Sequence, residues 1–180
     1  MDDVTTPRAT VSIAYDRKTI ILHWLTAALV VSLWGVAQVI DLFPSGPLRV
    51  DARSVHIALG IGLIVTLVVR IAWRAGGGRR LEPAETGLLG AAGTAVHYLL
   101  YALLIAELCL GVANVWVRGD SLFNLVTVPA FDPGNRALGA AVGNLHGTVA
   151  NVILIVAGLH ALAALFHHYI RRDGVLRRML

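Results

Sequence analysis

The sequence is short of charge and has almost no cysteine. Charged residues make up 14% of the 180 residues and hydrophobic residues 57%, whereas a soluble domain has about 25% charged residues. A chain of this size could not bury that much apolar surface, because small domains bury the smallest fraction of their surface. The single cysteine, Cys109, excludes an internal disulfide, a cysteine-ligated cluster and a C-x-x-C-H attachment motif. A soluble enzyme and a disordered segment are therefore excluded, and an integral membrane protein remains.

The basic charge balance does not indicate a nucleic-acid partner. The net charge is +4 and the pI about 9.8, but the charged residues lie outside the long apolar runs or at their ends, except Glu107. No basic stripe alternates with stacking aromatic residues, as a nucleic-acid surface would require. We therefore expect no nucleic-acid binding and attribute the basic residues to membrane topology.

Four apolar runs are each long enough to cross a bilayer, which requires about 20 residues. They predict transmembrane helices at about 19–40, 54–73, 90–117 and 141–170. The expected fold class is an all-α membrane protein, a four-transmembrane-helix bundle in one domain that covers residues 1–180. The longest external connection is 118–136, and its segment 121–128 has the pattern of a short amphipathic stretch on the membrane surface.

Lysine and arginine are distributed unequally between the two sides of the predicted bundle. Eleven of the fifteen, Arg8 among them, fall on the side that holds both termini. By the positive-inside rule, both termini face the cytoplasm. The other side has four, Arg49, Arg53, Arg118 and Arg136.

All seven histidines lie in or at the ends of the apolar runs, where ionisable side chains are costly and indicate function. Their depth, read from the chain direction, places His56 and His146 near the outer surface and His23 and His160 nearer the inner surface. His146 and His160 are about 21 Å apart along one helix and project from nearly the same face. Two stacked pairs of opposed imidazoles are what two bis-histidine b-type haems require.

Other interpretations of these histidines remain open. A single intramembrane histidine is often only a helix-to-helix hydrogen bond. A zinc or other transition-metal site needs three or four ligands at one level, and His97, His167 and His168 are all near the inner end. A metal or proton transporter is a further alternative. The opposed pairs and the single intramembrane acid, Glu107, argue against it.

Several motifs follow a recognisable family pattern. They are Tyr15 with His23-Trp24, residues 54–60 (SVHIALG), residues 145–151 (LHGTVAN) and residues 158–169 (GLHALAALFHHY). Together they resemble the bacterial cytochrome b561 family, and within it the stand-alone superoxide:ubiquinone oxidoreductases. The resemblance covers about residues 11–180 of the sequence. Residues 158–169 are its most specific element.

The resemblance implies that His23 pairs with His160 and His56 with His146, so that these four histidines ligate the iron of two haem b groups. It implies a multi-pass protein surrounded by the lipid of the bacterial inner membrane. Electrons would pass from periplasmic superoxide to ubiquinone near the cytoplasmic face. His167 is the expected quinone contact and proton donor, since histidine is the side chain that most readily exchanges a proton at physiological pH.

Further contacts are expected at both substrate sites. His97 matches a second quinone-site histidine of the family. The family's basic residue in the proline-containing loop before the third helix is missing here, so Arg79 or Arg80 would substitute, and we predict Arg80 as the quinone contact. Superoxide is an anion, which external positive charge would attract. The candidates for that role are Arg49, Arg53, Arg118 and Arg136, against an equal number of external aspartates.

A second function is consistent with the same haem ligands. Many members of the family are cytochrome b subunits that carry electrons between the quinone pool and a periplasmic redox protein. The outer loops would then form a docking surface for that partner. Short loops and the lack of a fused domain favour the stand-alone enzyme.

Overall fold

The protein is described from a computed structural model, which covers residues 14–180. Its four long helices are α1 (Arg17–Ile40), α2 (Pro47–Gly76), α3 (Gly87–Arg118) and α4 (Arg136–Phe166). Each is long and apolar enough to cross a membrane, so the predicted mostly helical fold with four membrane-length helices is confirmed. Arg8, which contributes to the predicted charge asymmetry, lies outside the described residues.

The helices extend beyond the apolar runs from which they were predicted. Helix α2 has 30 residues, about 45 Å, against a hydrocarbon thickness of about 30 Å. Its first residue is Pro47, whose fixed φ suits the first helical turn. Helix α3 ends at Gly119, which adopts the left-handed conformation at φ 67°. The additional turns exceed the length that a bilayer requires, so an apolar run, which marks only the membrane-length part of a helix, does not predict them.

The connection between α3 and α4 contains a β-hairpin instead of the amphipathic surface segment expected at 121–128. Strand β1 (Ser121–Leu122) pairs with β2 (Val126–Thr127) in antiparallel register. The chain reverses at Phe123 and Asn124, which both have positive φ, at 51° and 58°. Ser54 of α2 is fully buried beneath the hairpin, and its Oγ accepts a hydrogen bond of 2.7 Å from Phe123 N.

The bundle has a small central core and an apolar outer surface. Helix α1 packs against α2, and α3 packs against α4. The buried core consists of Leu63, Leu67, Leu104 and Ile153. Most other large apolar side chains face outward. Such a surface suits lipid, because the bilayer is as apolar as the side chains and gives little reason to bury them.

The starts of α1 and α3 and the ends of α2 and α4 meet at one end of the bundle, which we call the inner face. The carboxylate of Asp16 caps α1 by accepting from Thr19 N, and it also accepts from Trp73 Nε1 at 2.9 Å and Arg79 N at 3.0 Å. After α4, a π-helical turn (His167–Arg171) and a short 3-10 helix (Leu176–Met179) return the chain to α1. There the indole of Trp24 donates to Met179 O at 2.8 Å. The opposite end of the bundle is the outer face.

Candidate functional site

The outer histidine pair consists of His56 on α2 and His146 on α4. Their ring centroids are 6.2 Å apart, and the ring planes are nearly perpendicular, at 82°. Both rings line a cavity of about 580 Å³ to which all four helices contribute. Trp34 of α1 and Glu107 of α3 also line it. The structure therefore brings the two predicted outer ligands to opposite helices around one internal space.

The walls of this cavity contain polar atoms without partners. Within residues 14–180, four buried side-chain atoms lack a well-aligned hydrogen bond: His56 Nδ1, His146 Nδ1, Glu107 Oε2 and Asn114 Oδ1. All four residues line the cavity. Since buried polar atoms are normally hydrogen-bonded, this clustering sets the space apart from the rest of the described core. Imidazole is a ligand of haem iron, so the donor set fits a b-type haem.

Glycine leaves room beside the outer ligands. Gly60 on α2 and Gly147 on α4 both line the cavity, and a Cβ atom built on either would meet nothing within 4 Å. At Gly111 of α3, a Cβ atom would contact the ring of His146 at 3.4 Å. Small residues therefore keep the space next to the imidazoles free, as a large flat cofactor requires.

Glu107 approaches the outer ligand on α4. Its Oε1 lies 3.1 Å from His146 Nδ1. The separation is that of a hydrogen bond, but the two groups are not aligned, so Nδ1 has no hydrogen-bond partner as placed. A small rotation of either side chain would make the bond, with Nδ1 facing the acid and Nε2 free to ligate a metal. Glu107 is thus a neighbour of the outer ligand, a role that the sequence alone did not reveal.

The inner histidine pair is more crowded. The rings of His23 on α1 and His160 on α4 are 6.4 Å apart between centroids. The ring of His97 lies closer to His160, at 5.2 Å, so this predicted quinone-site residue also contacts an inner ligand. Arg70 Nη2 is 3.2 Å from His23 Nδ1, and its guanidinium lies 5.2 Å from the ring centre of Tyr101. Three histidines and one arginine therefore meet at the inner level.

An apolar layer separates the two histidine levels. Along α2, the core residues Leu63 and Leu67 lie between His56 and the inner-level Arg70, and along α4 Ile153 lies midway between the two ligand histidines. Two side-chain hydrogen bonds lie in this region, from Trp34 Nε1 to Asn151 Oδ1 at 3.1 Å and from Thr66 Oγ1 to Gly62 O, within α2, at 2.8 Å. The two sites are therefore distinct, one above the other in the bundle.

The four external arginines differ in their surroundings. Arg53 and Arg118 line the outer cavity, and both approach the carboxylate of Asp120, at 2.8 Å and 3.8 Å. Asp120 is only 6% exposed, so an acid lies between the two arginines. Arg49 donates instead to the carbonyl oxygens of Phe43 and Asp41 and so stabilises the loop between α1 and α2. Arg136, exposed at the start of α4, does not line the cavity.

At the inner face, His167 has an acidic partner that sequence analysis missed. Its Nδ1 is 2.5 Å from Asp173 Oδ2. This hydrogen bond holds the pKa of the Asp173 carboxyl below its usual range. Glu85 lies close to both and pairs with Arg171, with 2.5 Å between its Oε1 and Nη1. The only hint in the sequence was Glu85 in the position where a basic residue was expected.

The remaining inner candidates lie near this cluster or outside it. Arg79 binds the segment just before α1, where its Nη1 donates to Ala14 O at 3.3 Å. Arg80 is exposed in the loop before α3, and its side chain makes no hydrogen bond or ion pair to any residue that the structure describes. The ring of His168 packs against Tyr169 at 4.8 Å. His167 is therefore the inner-face histidine with a polar partner.

Comparison with known proteins gives a consistent assignment. Residues 14–180 match the family model of prokaryotic cytochrome b561. The chain is 30% identical over 162 residues to the probable superoxide oxidase CybB of Yersinia pestis, covering 88% of this chain and 91% of that protein. It is 31% identical over 170 residues to cytochrome b561 homolog 1 of Escherichia coli K12, covering 92% and 96%. It is 28% identical over 171 residues to cytochrome b562 of Cereibacter sphaeroides, covering 92% and 94%.

The family match and the structure agree over the described chain. The resemblance inferred from the histidine motifs is confirmed, and the four membrane-length helices support a multi-pass protein of the bacterial inner membrane. Proteins of this family bind b-type haem and transfer electrons in the membrane. The chain belongs to the prokaryotic cytochrome b561 family and is a membrane electron-transfer protein of the oxidoreductase type.

Proposed function

We propose that this chain is a superoxide:ubiquinone oxidoreductase that holds two b haems. His56 and His146 would ligate the outer haem, and His23 and His160 the inner one. The observation that carries the proposal is the pair of opposed imidazoles at each of two levels, with the outer pair in a cavity lined with unpaired polar atoms. When bound, the haems would supply one-electron redox chemistry between the two sides of the membrane. The name of the Yersinia pestis relative supports superoxide as the donor.

The direction of the chain in the membrane follows from its charges. Both termini would face the cytoplasm, in one transmembrane domain, because most of the lysines and arginines lie on that side. The inner face would then be cytoplasmic, with His167 beside the quinone pool. The outer face, with the mouth of the cavity, would be periplasmic.

The reaction balances with two superoxide anions for each quinone. Each superoxide would lose one electron and leave as dioxygen, and ubiquinone would gain two electrons and two protons to become ubiquinol. At the outer face, Arg53 and Arg118 would attract the anion to the cavity, although Asp120 cancels part of their charge. Arg49 is engaged with loop carbonyl oxygens, and Arg136 does not line the cavity, so both would contribute less.

At the inner face, His167 would deliver protons to the quinone. Asp173 accepts a hydrogen bond from Nδ1, which fixes the orientation of the ring and leaves Nε2 as the proton-donating atom. After it has donated its proton, the imidazole would be reprotonated from the cytoplasm. Arg171 approaches both acids of the cluster, Glu85 at 2.5 Å and Asp173 at 3.9 Å, and offsets part of their negative charge. His97 and Arg80 remain proposed quinone contacts, one beside His160 and one in the loop.

The test uses purified protein with a superoxide source and a soluble ubiquinone analogue. We expect quinol to form at the expense of superoxide with no further protein present. His167→Ala should slow this reaction, whereas the adjacent His168→Ala should not. If the purified protein contains two haems but does not reduce quinone with superoxide, this function is wrong. Reduction of the haems by quinol and their reoxidation by a periplasmic redox protein would then support the electron-transfer subunit.

A further inference from the structure

The two histidine levels have ionisable side chains of opposite type beside their rings, an acid at the outer level and a base at the inner level. At the outer level, the carboxylate of Glu107 is 3.1 Å from His146 Nδ1. At the inner level, the guanidinium of Arg70 is 3.2 Å from His23 Nδ1. Both charged groups lie inside the apolar part of the bundle, where an ionisable side chain is costly and points to a role.

We propose that Glu107 and Arg70 are positioning residues that set the order of the two haem potentials, so that an electron moves downhill from the outer site to the inner site. The proposal rests on the haem ligation in the proposed function, and it assigns a role to two side chains that do not ligate iron themselves. It concerns the direction of electron flow within the protein, whatever the final donor and acceptor are.

Glu107 lowers the potential of the outer site through two effects of the same sign. A hydrogen-bond acceptor at Nδ1 makes the imidazole a stronger electron donor to the metal at Nε2. When Glu107 is ionised, its negative charge also stabilises the more positive, oxidised iron. The other oxygen, Oε2, is buried and has no hydrogen-bond partner among the residues described, so no other described group competes with His146 for this carboxyl group.

Arg70 raises the potential of the inner site by the opposite effect. Its guanidinium remains protonated under all ordinary conditions. A fixed positive charge beside the ring of His23 stabilises the reduced iron, which is less positive. Tyr101 of α3 packs against the guanidinium, which keeps the charge at this level instead of letting it extend to the membrane surface.

The two effects act together because the sites are close and separated by an apolar layer. The low dielectric of this layer strengthens the interaction of each charge with its own site. Glu107 lies ten residues from His97 on α3, about 15 Å along the helix, so each charge acts mainly on the nearer haem. Removing the charge of Glu107 therefore raises the outer potential, and removing that of Arg70 lowers the inner potential. Either change reduces the difference between the two potentials.

The experiment is redox potentiometry of the purified holoprotein, after its haem content has been measured. Single-haem variants, His56→Ala and His160→Ala, assign the two spectral components to the outer and inner sites. We expect the outer haem of the wild type to have the lower potential. Glu107→Gln should raise the outer potential and Arg70→Gln should lower the inner one. Each substitution should change the equilibrium constant for electron transfer between the haems at least tenfold. For a one-electron couple, this is a change of about 59 mV in the difference between the two potentials.

Matched variants separate local charge from a general structural effect. Glu107→Asp and Arg70→Lys keep the charge and should restore much of the difference. Asp132→Asn removes an exposed acid that does not line the cavity, and Arg17→Gln removes an exposed cation at the first residue of α1. Both should leave the two potentials nearly unchanged.

The outcomes distinguish this proposal from the function on which it rests. A wild type without two haems would overturn the proposed ligation itself. Two haems with the outer potential above the inner one would overturn only the roles of Glu107 and Arg70, as would glutamine variants that shift neither potential or both equally. If a glutamine variant does not retain haem, the order of potentials in the wild type and the charge-conserving variants decides.

Discussion

The outer and inner histidine pairs have similar ring separations but very different surroundings. His56 and His146 face each other across a cavity, with the acid Glu107 beside His146. His23 and His160 are surrounded by a third histidine and by Arg70. The comparison shows that two pairs of the same residue type, on helices of one bundle, can have surroundings of different charge and access. In the proposed relay, such a difference would favour electron transfer in one direction.

The largest expected effect is the loss of one haem when a ligand is removed. His146→Ala should leave one haem per chain in place of two, and His160→Ala should remove the other, because an iron without an axial imidazole is held weakly. Pyridine haemochrome assays on purified protein measure this directly. His168→Ala is the matched control and should keep both haems, since its ring only packs against Tyr169. Loss of both haems from either single variant would show that the two sites do not form independently.

The next largest effect concerns proton delivery at the inner face. His167→Ala should lower the rate of quinone reduction about 100-fold, the lower end of what a positioned acid contributes, with haem content unchanged. Asp173→Asn should have a smaller effect of about tenfold, because it keeps the imidazole but weakens its orientation. Steady-state quinol formation at saturating quinone measures both. Equal rates in wild type and His167→Ala would remove this histidine from the mechanism.

At the mouth of the outer cavity, we expect substitutions around Arg53 and Arg118 to change the rate of superoxide capture a few-fold. Asp120→Asn should raise the rate of superoxide capture at low ionic strength, since it removes the acid that lies between Arg53 and Arg118. Arg53→Gln should lower it. The two variants should converge at high salt, where the Debye length falls to about 3 Å at 1 M. Pulsed delivery of superoxide with optical detection checks this, and a salt-independent difference would contradict it.

The smallest expected effect is on stability at the inner face. The pKa of Asp16 is raised by partial desolvation and lowered, by a larger amount, by hydrogen bonds from Thr19, Arg79 and Trp73, so that it lies below its usual range. Asp16→Ala should cost about 1 kcal/mol, as the loss of a helix cap does. A depressed folded-state pKa stabilises the protein above the unfolded value of about 3.9 and loses that contribution as pH falls. The difference in stability between the wild type and Asp16→Ala should therefore decrease in acid.

Thermal melts followed by haem absorbance, over a series of pH values, measure the effect of Asp16. The control is Asp132→Ala, because that exposed acid caps no helix that the structure describes. An advantage of the wild type over Asp16→Ala that stays constant below pH 4 would show that the carboxylate is not the stabilising group.

The helices and the pairing of the histidines could be predicted because they depend on simple periodic rules. Apolar runs longer than a bilayer give the number of helices, and the chain direction gives the depth of each histidine. The 14 residues between His146 and His160 are nearly four helical turns, so both project toward the same side. None of these predictions requires knowledge of how one helix is rotated relative to another.

Contacts that depend on such rotations or on irregular backbone could not be predicted. Glu107 reaches His146 only because of how α3 is turned against α4. Asp173, six residues after His167, would point to a different side on a regular helix, about 240° away. It reaches the imidazole because α4 ends in a π-helical turn and Arg172 adopts a left-handed φ of 54°. The hairpin reverses at Phe123 and Asn124, where the sequence lacks the glycine that usually marks such a turn.

The most direct test of the account is which site superoxide reduces. Rapid mixing of superoxide with two single-haem variants separates them: His160→Ala keeps the outer site, and His146→Ala keeps the inner one. His160 is the better residue to remove than His23, because both His23 and His97 contact its ring. The account predicts fast reduction in His160→Ala and little in His146→Ala. Equal or faster reduction in His146→Ala would contradict it, because electrons would then not enter at the outer pair.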